Sequence, residues 1–299
     1  MALELREPDR AELVDLGRST WRLWCWGDPT DPAVLLLHGG FDHGRMFDGI
    51  APEIAALGLH VVAVDLRGHG DTSPADTGLT WALQIADLAQ VADHLGGPVG
   101  IVAHSFGAGL AGGLAGCCPE RVRWMVCLDG LGPPADALVA PGEGAALREA
   151  VRRDFAKADK DLFEPRRPWA TLEEMAARRA RGNPRLGPDW SLHLARHGSR
   201  PVEGGYEWKA DPRFSAAVPN DFDVEMLEVE MRMVRCPVLV LMGSEPDTWR
   251  DLSPEEEVER AGWLGGRLVR IPGAGHYVHL EQPDLVLDEL RAFVLGVGP

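Results

Sequence analysis

"GIVAHSFGAG", residues 100–109, joins a run of β-formers to a string of Ala and Gly through His104, Ser105 and Phe106. A strand that turns at once into a helix crowds the backbone around its turning residue and holds that residue in a strained conformation. Ala103 and Gly107, two positions either side of Ser105, remove the bulk that would obstruct such a turn. The "AGLAGGLAG" that follows is poor helix material by propensity, but its small side chains permit close packing under a sheet. An ordinary strand-to-helix turn would fit the same frame, so the reading depends on what surrounds it.

Upstream lie "AVLLLHGG" (33–40) and "LHVVAVDLRG" (59–68), and downstream lies "RWMVCLDG" (123–130). Each is an apolar run that breaks at Gly or Asp, and helix-length segments such as "WALQIADLAQVADHLG" (81–96) separate them. Continuous apolar strands alternating with helices indicate a mostly parallel sheet covered by helices on both faces. The pattern resumes with "CPVLVLMG" (236–243), "SPEEEVERAGWL" (253–264), "GRLVRIPG" (266–273) and "QPDLVLDELRAFVL" (282–295), while "STWRLWCWG" (19–27) reads as a leading antiparallel strand. From about 133 to 234 the pattern lapses into the helical pieces "GAALREAVRRDFAKADKDLF" (144–163), "TLEEMAARRARG" (171–182) and "PDWSLHLARHG" (188–198). A structureless loop of that length is improbable in a compact domain. The expected organisation is a core of residues 1–132 and 235–299 with a helical cap at 133–234.

The 299 residues suffice for this plan without disulfides or metal, and the net charge of −16 argues against nucleic-acid or anionic-membrane partners. Residues 141–215 carry 15 Lys and Arg against 12 Asp and Glu, so the remainder is more acidic than the whole. That asymmetry fits solvated helix faces or a cap held electrostatically over an acidic body. Five cysteines without a C-x-x-C pair give no disulfide framework or zinc site and read as reduced thiols. The charged N-terminus has no secretory signal and no run reaches membrane-spanning length, so a cytoplasmic location is expected. A homodimer is compatible with the sequence.

A serine at a strand end has chemical company here. In "LLLHGGFDHGRMF" (35–47) the Gly pair lets backbone approach a ligand and aim N–H groups into a site. Acyl transfer needs such donors for its developing oxyanion. The Gly40 and Phe106 N–H groups are assigned that task, with Phe41 as an alternative. In "IPGAGHYVHLEQPD" (271–284), His276 occupies a Gly-rich loop late in the chain, where a general base for Ser105 belongs in the order Ser, acid, His. His279 reads as packing or capping, and His104, adjacent to Ser105, as structural.

Together "HGG", "DLRGHGDTSP", "AHSFGAG", "LDGLG" and "GAGHYVHLEQP", in this order and spacing, resemble the α/β-hydrolase fold with a cap inserted after the sixth core strand. The cap phrase "GGYEWKADPRF" (204–214) is similar to serine-hydrolase-like proteins. The resemblance covers almost everything outside the cap and implies a Ser-His-acid triad with no cofactor or metal. It does not name one reaction.

The acid departs from the family pattern. Most members place it three residues past the Gly that ends "VLVLMG", where this chain has Pro246, with Asp247 one residue later. Some relatives use the end of the sixth strand, here Asp129. Asp129 is favoured over Asp247 because the loop around Pro246 is off register. Relatives that open epoxides or displace halide use an Asp nucleophile; a serine there would form an ether that water cannot cleave, which argues against those activities. Asp65, Arg67 and Asp71 read as holding the loop after the fourth strand. Phe41, Phe106, Trp169, Trp190, Tyr206 and Trp208 are candidates for an apolar substrate pocket. The expected activity is hydrolysis of a small to medium ester or lactone. C–C bond hydrolysis or acyl transfer on the same triad, or non-catalytic ligand binding, are the alternatives.

Overall fold

The computed structural model describes residues 5–74, 79–133, 167–212, 214, 224–249 and 252–298. An eight-stranded sheet forms the body, from β1 (Arg10–Asp15), β2 (Thr20–Trp26), β3 (Ala33–Leu37), β4 (His60–Val64), β5 (Val99–His104), β6 (Val122–Leu128), β9 (Val238–Gly243) and β10 (Arg267–Ile271). Their spatial order is β1-β2-β4-β3-β5-β6-β9-β10. β2 runs antiparallel to β1 and β4, and every later pairing is parallel. The expected sheet, including its antiparallel leading strand, is therefore what forms.

The apolar runs explain why. Every residue of β3, β4, β5 and β9 is buried, as both faces of a parallel sheet must be. Strand alternation sends Leu35, Leu37, Val62, Val64 and Ile101 into one core layer and Val34, Leu36, Val61, Ala63 and Val102 into the other. The first layer is closed by α2 (Trp81–His94) and α3 (Phe106–Cys117), through Leu88, Val91, Leu110 and Leu114. The second packs against α1 (Ala51–Ala55) and a long C-terminal helix, Pro283–Val297, through Ile54, Val286 and Leu290. Local signals set the helix starts: Thr80 caps α2 by accepting the Leu83 N–H, and a Ser253–Glu256 capping box opens the helix Pro254–Trp263.

Between β6 and β9, none of the described elements joins the main sheet. They are α4 (Leu172–Gly182), α5 (Pro188–His197), the strands β7 (Ser199–Val202) and β8 (Gly205–Trp208), and α6 (Val224–Met233). The expected helix at 144–163 lies outside the described residues. The β7–β8 hairpin departs from an all-helical expectation. Its strands are four residues long and mostly half-buried or exposed, too short to print an alternation; Glu203 and Gly204 make its turn, with Gly204 at positive φ. α6 lies along α3: a Cβ at Gly116 would sit 3.1 Å from the Met233 side chain, and one at Gly113 would strike Glu230. The small residues after Ser105 thus admit a second helix.

Basic groups of this segment meet acidic groups of the body. Arg179 pairs with Asp42, Arg185 with Glu281 at 2.6 Å, and Lys209 with Asp71 at 2.7 Å. His193 Nε2 lies 3.2 Å from Asp48 Oδ2. Asp65, fully buried, accepts hydrogen bonds from the Gly44 and Asp71 N–H groups and from Trp24, and Arg67 pairs with Asp87. The loop after β4 is held as its sequence suggested.

Candidate active site

Ser105 stands between β5 and α3 with φ 51° and ψ −119°, a backbone region that L side chains seldom occupy. Its own N–H is anchored to the Leu128 carbonyl at 3.1 Å, so the turn is tied to the neighbouring strand end. Gly107 has no alternative, since a Cβ there would lie 2.6 Å from the carbonyl oxygens of Leu37 and His38. The loop after β3 also comes close: a Cβ on Gly39 would sit 2.7 Å from His104 Nδ1 and 3.2 Å from the Cβ of Ser105.

At the end of β6, Asp129 also has a positive φ, 47°. Its N–H donates to the Leu241 carbonyl at 2.8 Å, and its Oδ1 accepts the Gly243 N–H at 2.9 Å. The second oxygen, Oδ2, accepts from His276 Nδ1 at 2.7 Å. A carboxylate can only accept, so this bond places a proton on Nδ1, and the neutral form of the ring then carries its lone pair on Nε2. Asp247 lies beside Gly275, but its Oδ1 accepts the Trp249 N–H at 3.1 Å. Of the two acids weighed from sequence, Asp129 is the one hydrogen-bonded to His276.

Two buried histidines that sequence left unassigned brace the loop after β3. His38 donates from Nδ1 to the Gly39 carbonyl at 2.7 Å and accepts the Leu66 N–H on Nε2 at 2.9 Å. His69 donates from Nδ1 to the Arg67 carbonyl at 3.1 Å and accepts the Phe41 N–H on Nε2, also at 3.1 Å. Burial pushes the His69 pKa down to about 4 and holds that of His38 well below the ordinary value, which keeps both rings neutral and these acceptors available. The Phe41 N–H is consequently engaged within the loop, which counts against it as an oxyanion donor. His104 has the structural part expected of it: buried, it donates from Nε2 to the His276 carbonyl at 3.0 Å. His279 is fully buried and stacks on Phe47.

Ser105, His276, Asp129, Gly40, Phe41 and Phe106 all line one cavity of about 550 Å³. Its apolar wall includes Trp81, Phe214, Leu227 and Met231, and its polar wall Asp42, Arg179, Asn183 and Tyr277. The aromatic set proposed from sequence is corrected in part. Trp169, Tyr206 and Trp208 pack with Met175 and Ala195 into a separate cluster, where Trp169 and Tyr206 exchange backbone hydrogen bonds of 2.8 Å. Trp190 packs at Gly49 and against His193. Trp169, Tyr206 and Trp208 hold the small hairpin to α4 and α5, while Trp81, Phe214 and Tyr277 line the cavity with Phe41 and Phe106. Phe214 meets Phe41, His69 and Phe106 edge to face. It belongs to the phrase "GGYEWKADPRF", but nothing in its local pattern marks it.

Among the described residues no group of three or more His, Cys, Asp and Glu could hold a metal ion, and no helix is long and apolar enough to cross a membrane.

The sequence pattern described as "Alpha/beta hydrolase family" matches residues 34–289. A serine hydrolase-like protein of Dictyostelium discoideum is 25% identical, over 90% of this chain and 77% of its own. The carboxylesterase YbfK of Bacillus subtilis is likewise 25% identical, over 90% of this chain and 82% of its own. The crystal structure of E-2-(acetamidomethylene)succinate hydrolase superposes with a TM-score of 0.76 at 25% identity, covering 95% of this chain and 98% of that one.

Proposed function

Because the chain belongs to the alpha/beta hydrolase family, and has esterase- and lipase-like relatives, we propose that it is a serine hydrolase that cleaves a carboxylic ester or lactone through an acyl-enzyme. The observation that carries this reading is that a Ser105 at positive φ and a His276 whose Nδ1 is bonded to Asp129 line one cavity. Ser105 Oγ attacks the substrate carbonyl while His276 Nε2 takes its proton. The imidazolium that results is stabilised by Asp129 and returns the proton to the leaving alcohol. Water, deprotonated by the same histidine, then adds to the acyl-enzyme and releases the acid with Ser105 restored.

The oxyanion is assigned to the N–H groups of Gly40 and Phe106. Phe106 is the first residue of α3, where N–H groups have no partner within the helix and the helix dipole favours negative charge. Gly40 is preferred over Phe41 because His69 already takes the Phe41 N–H. Each such donor is worth about 3–4 kcal/mol to acyl transfer.

The mostly apolar wall favours a small or medium apolar substrate. Fluorophosphonate labelling tests the reading, with p-nitrophenyl butyrate turnover alongside. Wild type is expected to label and turn over, and Ser105→Ala to do neither while keeping its thermal transition. A folded wild-type protein that resists labelling ends the proposal in favour of ligand binding without catalysis.

A further inference from the structure

On the polar wall of the cavity, Arg179 from α4 is held by a fixed set of partners. Its Nη2 donates to Asp42 Oδ1 and, at 3.3 Å, to the Tyr277 hydroxyl, which itself donates to Asp42 Oδ2 at 3.1 Å. The three side chains are buried, that of Arg179 to within 9% of full burial and that of Asp42 to within 1%. Four residues on, at the end of the same helix, Asn183 donates from Nδ2 to the Arg179 carbonyl at 3.0 Å. Because Nδ2 faces a carbonyl, the amide orientation of Asn183 is fixed and its Oδ1 points elsewhere.

Two hydrogen-bonding atoms are left over. Arg179 Nε, a donor, and Asn183 Oδ1, an acceptor, are buried without a partner. A buried polar atom left unpaired costs about 1–3 kcal/mol, so two of them beside a cavity call for an explanation. Residues four apart lie on one helix face, with Cβ atoms about 5–6 Å from each other. We propose that Arg179 and Asn183 form a polar subsite that binds a neutral amide-type group of the substrate, one that accepts from Arg179 and donates to Asn183. This deepens the serine-hydrolase reading and rests on it for the position of the scissile bond.

Charge decides between an amide and an acid. The guanidinium is already matched by Asp42, so a substrate carboxylate would enter beside a second buried carboxylate without a free cation to offset it. It would also leave Asn183 Oδ1 facing another acceptor. A neutral donor–acceptor group satisfies both orphan atoms and adds no charge.

The test compares p-nitrophenyl esters whose acyl chain, and butyrate esters whose alcohol, carries an N-acetylamino group two to four methylenes from the ester. Each is set against an alkyl isostere and a carboxylate analogue. At least one amide ester is expected to exceed its alkyl isostere in kcat/KM by about tenfold or more, and the carboxylate analogue to be poorest. Arg179→Lys keeps the charge opposite Asp42 but loses Nε, and Asn183→Leu loses Oδ1; each is expected to bring the amide-to-alkyl ratio close to one. Titration of Ser105→Ala with N-butylacetamide, followed by saturation-transfer NMR, reads the subsite without turnover. Fluorophosphonate labelling with no amide preference overturns the subsite and spares the hydrolase. N-butylacetamide binding that Asn183→Leu abolishes, in a protein that never labels, keeps the subsite and overturns the hydrolase. A carboxylate ester that outruns the amides, or a preference that survives both substitutions, overturns the proposal.

Discussion

The strand ends of the body and the helix α4 of the inserted segment meet at one cavity, yet different forces hold them there. Ser105 and Asp129 are fixed by the main chain: each has a positive φ, and each donates its N–H to the neighbouring strand end, at 3.1 and 2.8 Å. Arg179 reaches the cavity through side-chain contacts with residues 137 and 98 positions away. A main-chain anchor depends on a handful of consecutive residues and is spelled out in them. A side-chain anchor between distant segments depends on two positions that the local sequence does not connect.

The largest effect that can break this comparison lies in the body. Asp129→Asn retains the shape of the side chain and its Gly243 contact but removes the acceptor charge behind His276. In the proposed triad it should lower kcat by about 10³–10⁴-fold. Asp247→Asn, whose oxygen caps the Trp249 N–H, should change kcat by less than about threefold, the range of a surface substitution. Steady-state kinetics on one ester decides. Comparable losses from both would mean that the order of the loops after β6 and β9 has been misread.

The next effect lies at the insertion and is one of stability. Arg179→Met leaves Asp42 charged, buried and facing only the Tyr277 hydroxyl, a situation that costs about 3–5 kcal/mol. Replacing Lys209, whose partner Asp71 is a third exposed, should cost about 0.2–1 kcal/mol. Urea unfolding measures both, and the pair Arg179→Met with Asp42→Leu should recover most of the larger loss. If the single variant unfolds as wild type does, the ion pair is not what seats α4 on the body.

The same contrast shows what could be read from the chain. The sheet was legible because a strand buried on both faces needs a continuous apolar run, and "AVLLL", "HVVAV" and "VLVLM" are such runs. Ser105, His276 and Asp129, the proposed triad, stand out in the chain because glycines and short loops flank them. The position of Asp129 relative to Asp247 depended on register, which the off-pattern Pro246 made visible. His38 and His69 were not singled out, since a histidine whose ring nitrogens brace a loop leaves no pattern in its neighbours. The cavity's aromatic lining was read only in part. Tyr206 and Trp208 stand two apart on one short strand and Trp169 is brought to them by backbone pairing with Tyr206, so the three pack on Met175 and Ala195 instead of on the cavity. Trp81, Phe214 and Tyr277 come from three separate segments and meet only in the fold.

The smallest effect concerns pH and the second seam between insertion and body. His43 Nε2 bonds the Leu194 carbonyl of α5 at 3.0 Å, His193 Nε2 bonds the Arg45 carbonyl at 3.0 Å, and His197 Nδ1 lies 3.4 Å from Arg45 Nη1. Asp48 and Glu7 offset Arg45 on the body side, and Arg196 and Lys209 add positive charge near His197. Burial holds His43 well below its ordinary pKa, and burial together with Arg45 pushes His197 down to about 3. A histidine depressed in the folded state takes up its proton more readily when unfolded. Its contribution is therefore complete above about pH 6.5 and is lost as pH falls from there toward the folded value. The thermal midpoint should fall by a few degrees between pH 7 and pH 5, and His197→Gln, which cannot titrate, should flatten that slope. His197 is partly open to solvent, which moderates the effect and sets it last. An unchanged slope in His197→Gln would remove His197 as the titrating group and place the acid sensitivity among the other histidines that burial holds low, His43, His38 and His69 among them.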